Sequence, residues 1–245
     1  MHKLLTDAAH TLVPPRGDRH GPLPPLLLVL TVATGLVDAV SYLGLGHVFV
    51  ANMTGNVVFL GFALAGADGL SALASVVSMA AFLAGALVGG RFANRFAAHR
   101  GRLLATTVAL EAVLVTAATL TSAAAHGQVE TGVRYTLIVL LGLAMGLQNA
   151  AARRLGVPDL TTTVLTLTLT GLAADSTPAG GSAPRPGRRI LSVLAIFLGA
   201  LVGAELLLGG RLTLILGLVV VLLAATSLTA YRLSGSNADW TKPQS

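Results

Sequence analysis

Two acids stand inside long apolar runs of this sequence, Asp38 within residues 24–43 and Glu111 within residues 102–125. A carboxylate in such a setting is costly unless it meets a partner, a cavity or a proton. Asp38 is therefore the leading candidate for an ion or proton site, and Glu111 is a second coupling candidate. Glu205 lies close to the end of its own run and carries less information. A second group is Ala51-Asn52-Met53-Thr54-Gly55-Asn56, which places Asn52, Thr54 and Asn56 just ahead of another apolar stretch. Thr54 or Asn56 is expected to cap a half-helix from about Gly55 to Gly66, whose partly positive end would face the bilayer midplane. In the second half, Pro158 and Asp159 mark an element start, and Thr161, Thr162, Thr163, Thr166, Thr168 and Thr170 supply hydroxyls. Such groups suit binding of a small polar solute or ion. The structural alternative is a paired or protonated Asp38 and Asn/Thr groups that only cap broken helices.

Covalent chemistry has no such support. The chain has no Cys, which excludes thiolate nucleophiles, disulfides and thiolate metal sites. His47 has no second His or carboxylate at ligand spacing, and phosphate-loop, dinucleotide, Ser-His-Asp and HExxH patterns are absent. No enzyme activity, no metal and no cofactor are expected. The net charge of +6 reads as loop orientation, with no nucleic-acid partner.

The elements that must position these groups are membrane helices. Of 245 residues 54% are hydrophobic and 11% charged, and the mean hydropathy is +0.79, far above what one water-soluble core requires. Eight apolar segments run at about 24–43, 49–66, 71–93, 102–125, 133–152, 158–174, 189–208 and 211–231. The second and sixth are short and rich in Thr, Asn and Gly, so they are expected to enter and leave on one side. With the N-terminus inside, that topology leaves every Lys and Arg except Arg134 and Arg211 in the cytoplasm, fourteen of sixteen. The fold class is then all-α: six transmembrane helices plus two re-entrant half-helices. The alternation from Leu165 to Thr170 has the period of a strand, but a lone strand in lipid leaves its backbone unpaired, so helix or protein-buried chain is preferred.

The halves also resemble each other. Gly85-Ala86-Leu87-Val88-Gly89 recurs as Gly199-Ala200-Leu201-Val202-Gly203, displaced by 114. Thr34 to Ala39 align with Met145 to Ala150, so that Asp38 falls opposite Asn149, displaced by 111. Thr54-Gly55-Asn56 aligns with Thr166-Leu167-Thr168, displaced by 112. Two inverted repeats are expected, 24–125 and 133–231, joined by an external loop at 126–132. Residues 1–23 read as a flexible cytoplasmic leader, a cleaved signal peptide being the less favoured alternative; 176–188 read as a cytoplasmic linker and 232–245 as a cytoplasmic tail. The glycine pairs form small-residue seams, which also suit a homo-oligomer.

Thr34-Gly35-Leu36-Val37-Asp38-Ala39-Val40-Ser41-Tyr42-Leu43, followed by Phe49 and Ala51-Asn52-Met53-Thr54-Gly55-Asn56, resembles the signature of the bacterial YoaK-type family of multi-pass membrane proteins of unknown function. The resemblance covers roughly residues 24 to 232. It implies an integral protein of the bacterial inner membrane and supplies no substrate. Members often carry a Thr-Gly-polar step in the second half, where this chain has Thr166-Leu167-Thr168. The expected function is secondary transport of a small solute, with Asp38, Asn52, Thr54, Asn56, Asn149, Thr166 and Thr168 around a site near the midplane. A passive channel or a non-transporting scaffold are the alternatives.

Overall fold

The computed structural model describes residues 2–163, 165–235 and 238–242. Its elements are α1 (His2–Leu12), α2 (Leu23–Ala39), α3 (Met53–Leu64), α4 (Ala72–Arg95), α5 (Arg100–Ala124), α6 (Thr131–Leu155), α7 (Thr166–Ala174), α8 (Pro186–Leu208) and α9 (Leu212–Ser234). A π-turn, Val40–Gly44, extends α2, and among the described residues there is no strand. Six helices are long and apolar enough to span a bilayer: α2 with its extension, α4, α5, α6, α8 and α9. The two remaining core helices, α3 and α7, span about 18 and 13 Å at 1.5 Å per residue, about half a hydrocarbon core.

Each short helix begins and ends at one end of the bundle. His47 Nδ1, ahead of α3, lies 3.3 Å from the carbonyl of Gly69 beyond it. Asp159, ahead of α7, pairs with Arg185 and Arg189 at the start of α8, at 2.8 and 3.0 Å. The six spans therefore alternate in direction. Of the cations on these spans and their loops, only Arg134 and Arg211 stand at the end opposite the N-terminus of α2; the rest form a basic end.

Helix packing rests on missing side chains. α4 lies along α6 and α8 along α2, so each close pair joins the first half of the chain to the second. A Cβ at Gly85 would strike the carbonyl of Leu143, and one at Gly146 would strike that of Phe82. In the other pair, Cβ atoms at Gly199 and Gly35 would strike the carbonyls of Val32 and Ile196. In lipid, where apolar burial between helices gives no drive, such backbone approach is what makes association favourable. α2 and α6 are the most enclosed spans, with 72% and 61% of their apolar windows buried, whereas α8 turns Phe197, Leu198, Leu201 and Val202 outward.

The stretches expected to be irregular are partly built. Within the leader, α1 docks on α8, where the Arg188 amide donates to Asp7 Oδ2 at 3.0 Å and Gly187 admits the α1 backbone at Leu4 and Ala8. Residues 186–188 of the expected linker are the first turn of α8, because Pro186 suits a helix start. Of the tail, 236, 237 and 243–245 lie outside the described residues, as do Met1 and Val164; Trp240 is buried. At the basic end, buried Arg100 donates to the carbonyl of Leu155 at 2.6 Å and to those of Arg19 and Trp240 at 3.3 and 3.4 Å. It thus tops the C-terminus of α6, where carbonyls lack partners and a cation is favoured. His20 lies 3.4 Å from the same guanidinium. Burial, and then the charges of Arg100, Arg188 and Arg19, hold its imidazole down at about 4 from 6.5.

Two outcomes follow. Gly85→Leu and Gly199→Leu will each lower thermal stability in detergent, by about 1–3 kcal/mol or more. Gly90→Leu, where a Cβ meets nothing within 4 Å, will leave the melting temperature unchanged. Because folding keeps His20 neutral, the unfolded chain binds the extra proton, so stability will fall as pH drops from about 6.5 towards 4. His20→Gln will flatten that part of a melting-temperature profile.

Candidate functional site

The chain that enters ahead of α3 is held by one side chain. Asn56 is fully buried; its Oδ1 accepts from the Phe49 amide at 2.9 Å and its Nδ2 donates to the Phe49 carbonyl at 2.6 Å. Ser78 of α4, also fully buried, donates to that carbonyl at 2.6 Å and accepts from Asn56 Nδ2 at 3.2 Å. Asn56 therefore satisfies the peptide of an irregular segment that lipid could not satisfy. The capping role expected of Asn56 and Thr54 is corrected: α3 starts at Met53 with Asn52 at the cap, and that side chain makes no capping bond. Thr54 is exposed, two residues and thus about 200° round the helix from Asn56. Outside this clasp Tyr42, Phe49 and Phe59 stack, with centroids 5.0 Å apart for the first pair and 5.9 Å for Phe49 and Phe59.

The second re-entrant segment is ordered differently. Pro158 and Asp159, expected to open an element, lie in a turn, and α7 begins only at Thr166. Asp159 has φ +63°, and its carboxylate is drawn to Arg185 and Arg189, which explains why a residue that favours helix starts does not make one here. Thr168 is buried while Thr166 and Leu167 are exposed. Thr168 and Ser192 of α8, both buried, stand 112 and 114 residues after Asn56 and Ser78. Arg189 also donates to the carbonyl of Gly171 and pairs with Asp175 at 2.8 Å, so one guanidinium holds the chain on both sides of α7.

Between the two segments lie the polar groups of α2 and α6. Gln148 Nε2 donates to Thr34 Oγ1 at 2.8 Å and to Thr162 Oγ1 at 3.0 Å, joining both central helices to the second re-entrant segment. Asn149 Oδ1 accepts from Thr163 at 2.6 Å. Asp38, one turn beyond Thr34 on α2, lies beside the backbone of Ala51, and its Oδ1 is buried without a partner among the described residues. Asp38 with Ala51 and Asn149 with Thr163 stand at displacements of 111 and 112, so each entering segment meets a central helix at a corresponding point. Counted along the helices, Asp38 lies about 22 Å from the basic end and Asn149 about 9 Å from it.

The residues of the expected site therefore fall in separate clusters. Asn56 and Thr168 are buried; Asp38, Asn149 and Asn52 are half-buried; Thr54 and Thr166 face out. Glu111 stands in the middle of α5, fully buried, with neither carboxyl oxygen hydrogen-bonded among the described residues. Residue types alone did not single out Thr34, Ser78, Gln148 and Ser192. A signal was available in the spacing, since Ser78 and Ser192 share the 114 displacement of the glycine seams. Among the described residues no group of three or more His, Cys, Asp or Glu is placed to hold a metal ion.

A bundle of six apolar spans around a polar centre defines a polytopic α-helical membrane protein, in contact with the lipid bilayer on its outer faces. Residues 26–229 match the family model described as a protein of unknown function, DUF1275, and the chain belongs to that family. It is 36% identical over 152 residues to the UPF0700 transmembrane protein YoaK of Bacillus subtilis (strain 168), a match covering 61% of this chain and 65% of that relative. No solved structure matches.

The clasp makes a graded stability prediction. Asn56→Leu will destabilise more than Ser78→Ala, because it strands the N–H of Phe49, at about 1–3 kcal/mol for an unpaired group, and removes one of the two donors to its C=O, whereas Ser78→Ala removes only the other donor. Thr54→Ala will have no effect. Thermal unfolding in one detergent will order the three.

Proposed function

We propose that this chain is a secondary transporter of a small polar solute in the bacterial inner membrane, built as two inverted repeats with both termini in the cytoplasm. The observation that carries the reading is the series of polar clusters set within the apolar bundle. They are Asn56 with Ser78, Asp38 beside Ala51, Gln148 with Thr34 and Thr162, and Asn149 with Thr163. Buried polarity of this extent is expensive in lipid and marks solute and ion paths. Asp38, with one free carboxyl oxygen, is the coupling or counter-ion group.

The reciprocal packing supports the repeat. α4 on α6 and α8 on α2 use glycines at the same displacements found in the sequence, 114 for Gly85 and Gly199, 111 for Gly35 and Gly146. An odd number of spans per half inverts the second relative to the first, and transporters place solute sites between such halves. The basic end is cytoplasmic by the excess of Arg there. Catalysis is not proposed, since no nucleophile and base are paired among these groups.

Single Cys residues at 47, 68, 128, 156, 180 and 210, all exposed, test the topology in this Cys-free chain. Impermeant maleimide will label 47, 68, 128 and 210 from outside and 156 and 180 only from inside. Opposite-side labelling of 47 and 68 removes the re-entrant arrangement. Transport is tested in proteoliposomes holding a pH-sensitive dye and challenged with a panel of amino acids, sugars and organic ions. One solute class will produce a gradient-dependent flux, lowered at least tenfold by Asp38→Asn. Flux indifferent to proton and sodium gradients would assign a channel, and absence of any flux a scaffold.

A further inference from the structure

Among the described residues, the buried side-chain atoms without a hydrogen-bond partner are Asp38 Oδ1, both carboxyl oxygens of Glu111, Gln148 Oε1 and Arg134 Nε. Arg134 belongs to the first turn of α6, at the end of the bundle. Every one in the interior is an acceptor. Three of these acceptors stand on two neighbouring helices. Arg100 on Leu155 fixes the antiparallel register of α5 and α6. Gln148 lies seven residues before Leu155 and Glu111 eleven after Arg100, so the two differ by four residues, about 6 Å along the axis. Buried Arg100, Thr107, Glu111 and Ala118 share one face of α5, and buried Leu155, Gln148 and Leu141 share one face of α6.

The orientation of the Gln148 amide is fixed by chemistry. Thr34 spends its hydroxyl hydrogen on the carbonyl of Leu30 at 3.0 Å, so its oxygen accepts from Gln148 Nε2 and Gln148 Oε1 must look elsewhere. No cation faces the pair. On α6 no charged residue lies between Arg134 and Arg153, on α9 none between Arg211 and Arg232, and on α5 Glu111 alone lies beyond Arg102. The acid on α2 is Asp38. A carboxylate here would have neither partner nor solvent, and a single proton on Glu111 would give both Glu111 and Gln148 a partner.

We propose that Glu111 is an exchangeable proton site, its neutral carboxyl donating O–H to Gln148 Oε1. The proton is taken up and released when water reaches the α5–α6 interface, and the carboxyl returns to its neutral, bridged form when the interface closes. Its use as the coupling ion rests on the transport reading above; the site itself does not.

Dicyclohexylcarbodiimide, which adds to protonated carboxyls in apolar surroundings, tests this on the whole protein in liposomes by intact mass and peptide mapping. One adduct will form on Glu111, more slowly as pH rises and unaffected by 100 mM sodium in place of choline, about the ionic strength at which bulk screening is already short-ranged. Glu111→Gln will abolish it and Asp38→Asn will not. The wild-type map suffices if Glu111→Gln fails to fold. Labelling of Asp38 alone, or no adduct at all, overturns the site, and protection by sodium at fixed pH replaces the proton with a metal cation. In infrared spectra the Glu111 carboxyl band will shift in Gln148→Leu; an unshifted band overturns the bridge. Labelled Glu111 without solute flux leaves the site standing and removes transport, whereas flux without labelling removes only the site.

Discussion

A peptide group that leaves a helix inside a bilayer must find its partner within the protein, because lipid offers none. At Phe49 the partner is Asn56, whose side-chain amide both accepts and donates as a second peptide would. The break in the first half depends on that exchange, and the rest of the centre depends on the break. It brings the backbone of Ala51 to Asp38 and leaves α3 only half a membrane long. In the second half the entering segment is tied by its own hydroxyls to side chains of α6, Thr162 to Gln148 and Thr163 to Asn149, and the guanidinium of Arg189 takes the Gly171 carbonyl at the outer edge. Corresponding ends are thus closed by unlike chemistry: stacked rings at Tyr42, Phe49 and Phe59, ion pairs at Asp159, Asp175 and Arg189.

The number of spans and their alternation along the bundle were legible because they follow from two quantities read along a line, apolar length and the spacing of the Arg clusters. The helix seams were legible for a similar reason, since Gly at every fourth position has one strong structural use in lipid. Local starts were less so. Asn56 and Pro158-Asp159 have the composition of helix caps, and in each case a partner distant in sequence or a stronger charge took the side chain instead. The segment 2–12 has the composition of a loose leader, and its helix is stabilised by α8, which lies 180 residues further on.

For the site, the residue types were informative and the facings were not. Asn56 and Thr168 were separable from Thr54 and Thr166 only once the helices were placed, because a two-residue step reverses the face presented. Gln148 escaped notice because an amide near a helix end reads as ordinary polarity. Its weight comes from touching Thr34, 114 residues earlier, and Thr162 at once.

The seams join distant parts of the chain, Gly35 on α2 with the backbone of α8 around Ile196 and Ala200. This has a consequence for biosynthesis. At about 5–20 residues per second, the partner of α2 emerges on the order of ten to thirty seconds after α2 itself. During that interval α2 sits in the membrane with its notched surface and its acid open to lipid or to the insertion machinery. The glycine face of α2 therefore stays without the backbone that it packs against until α8 has been made and inserted.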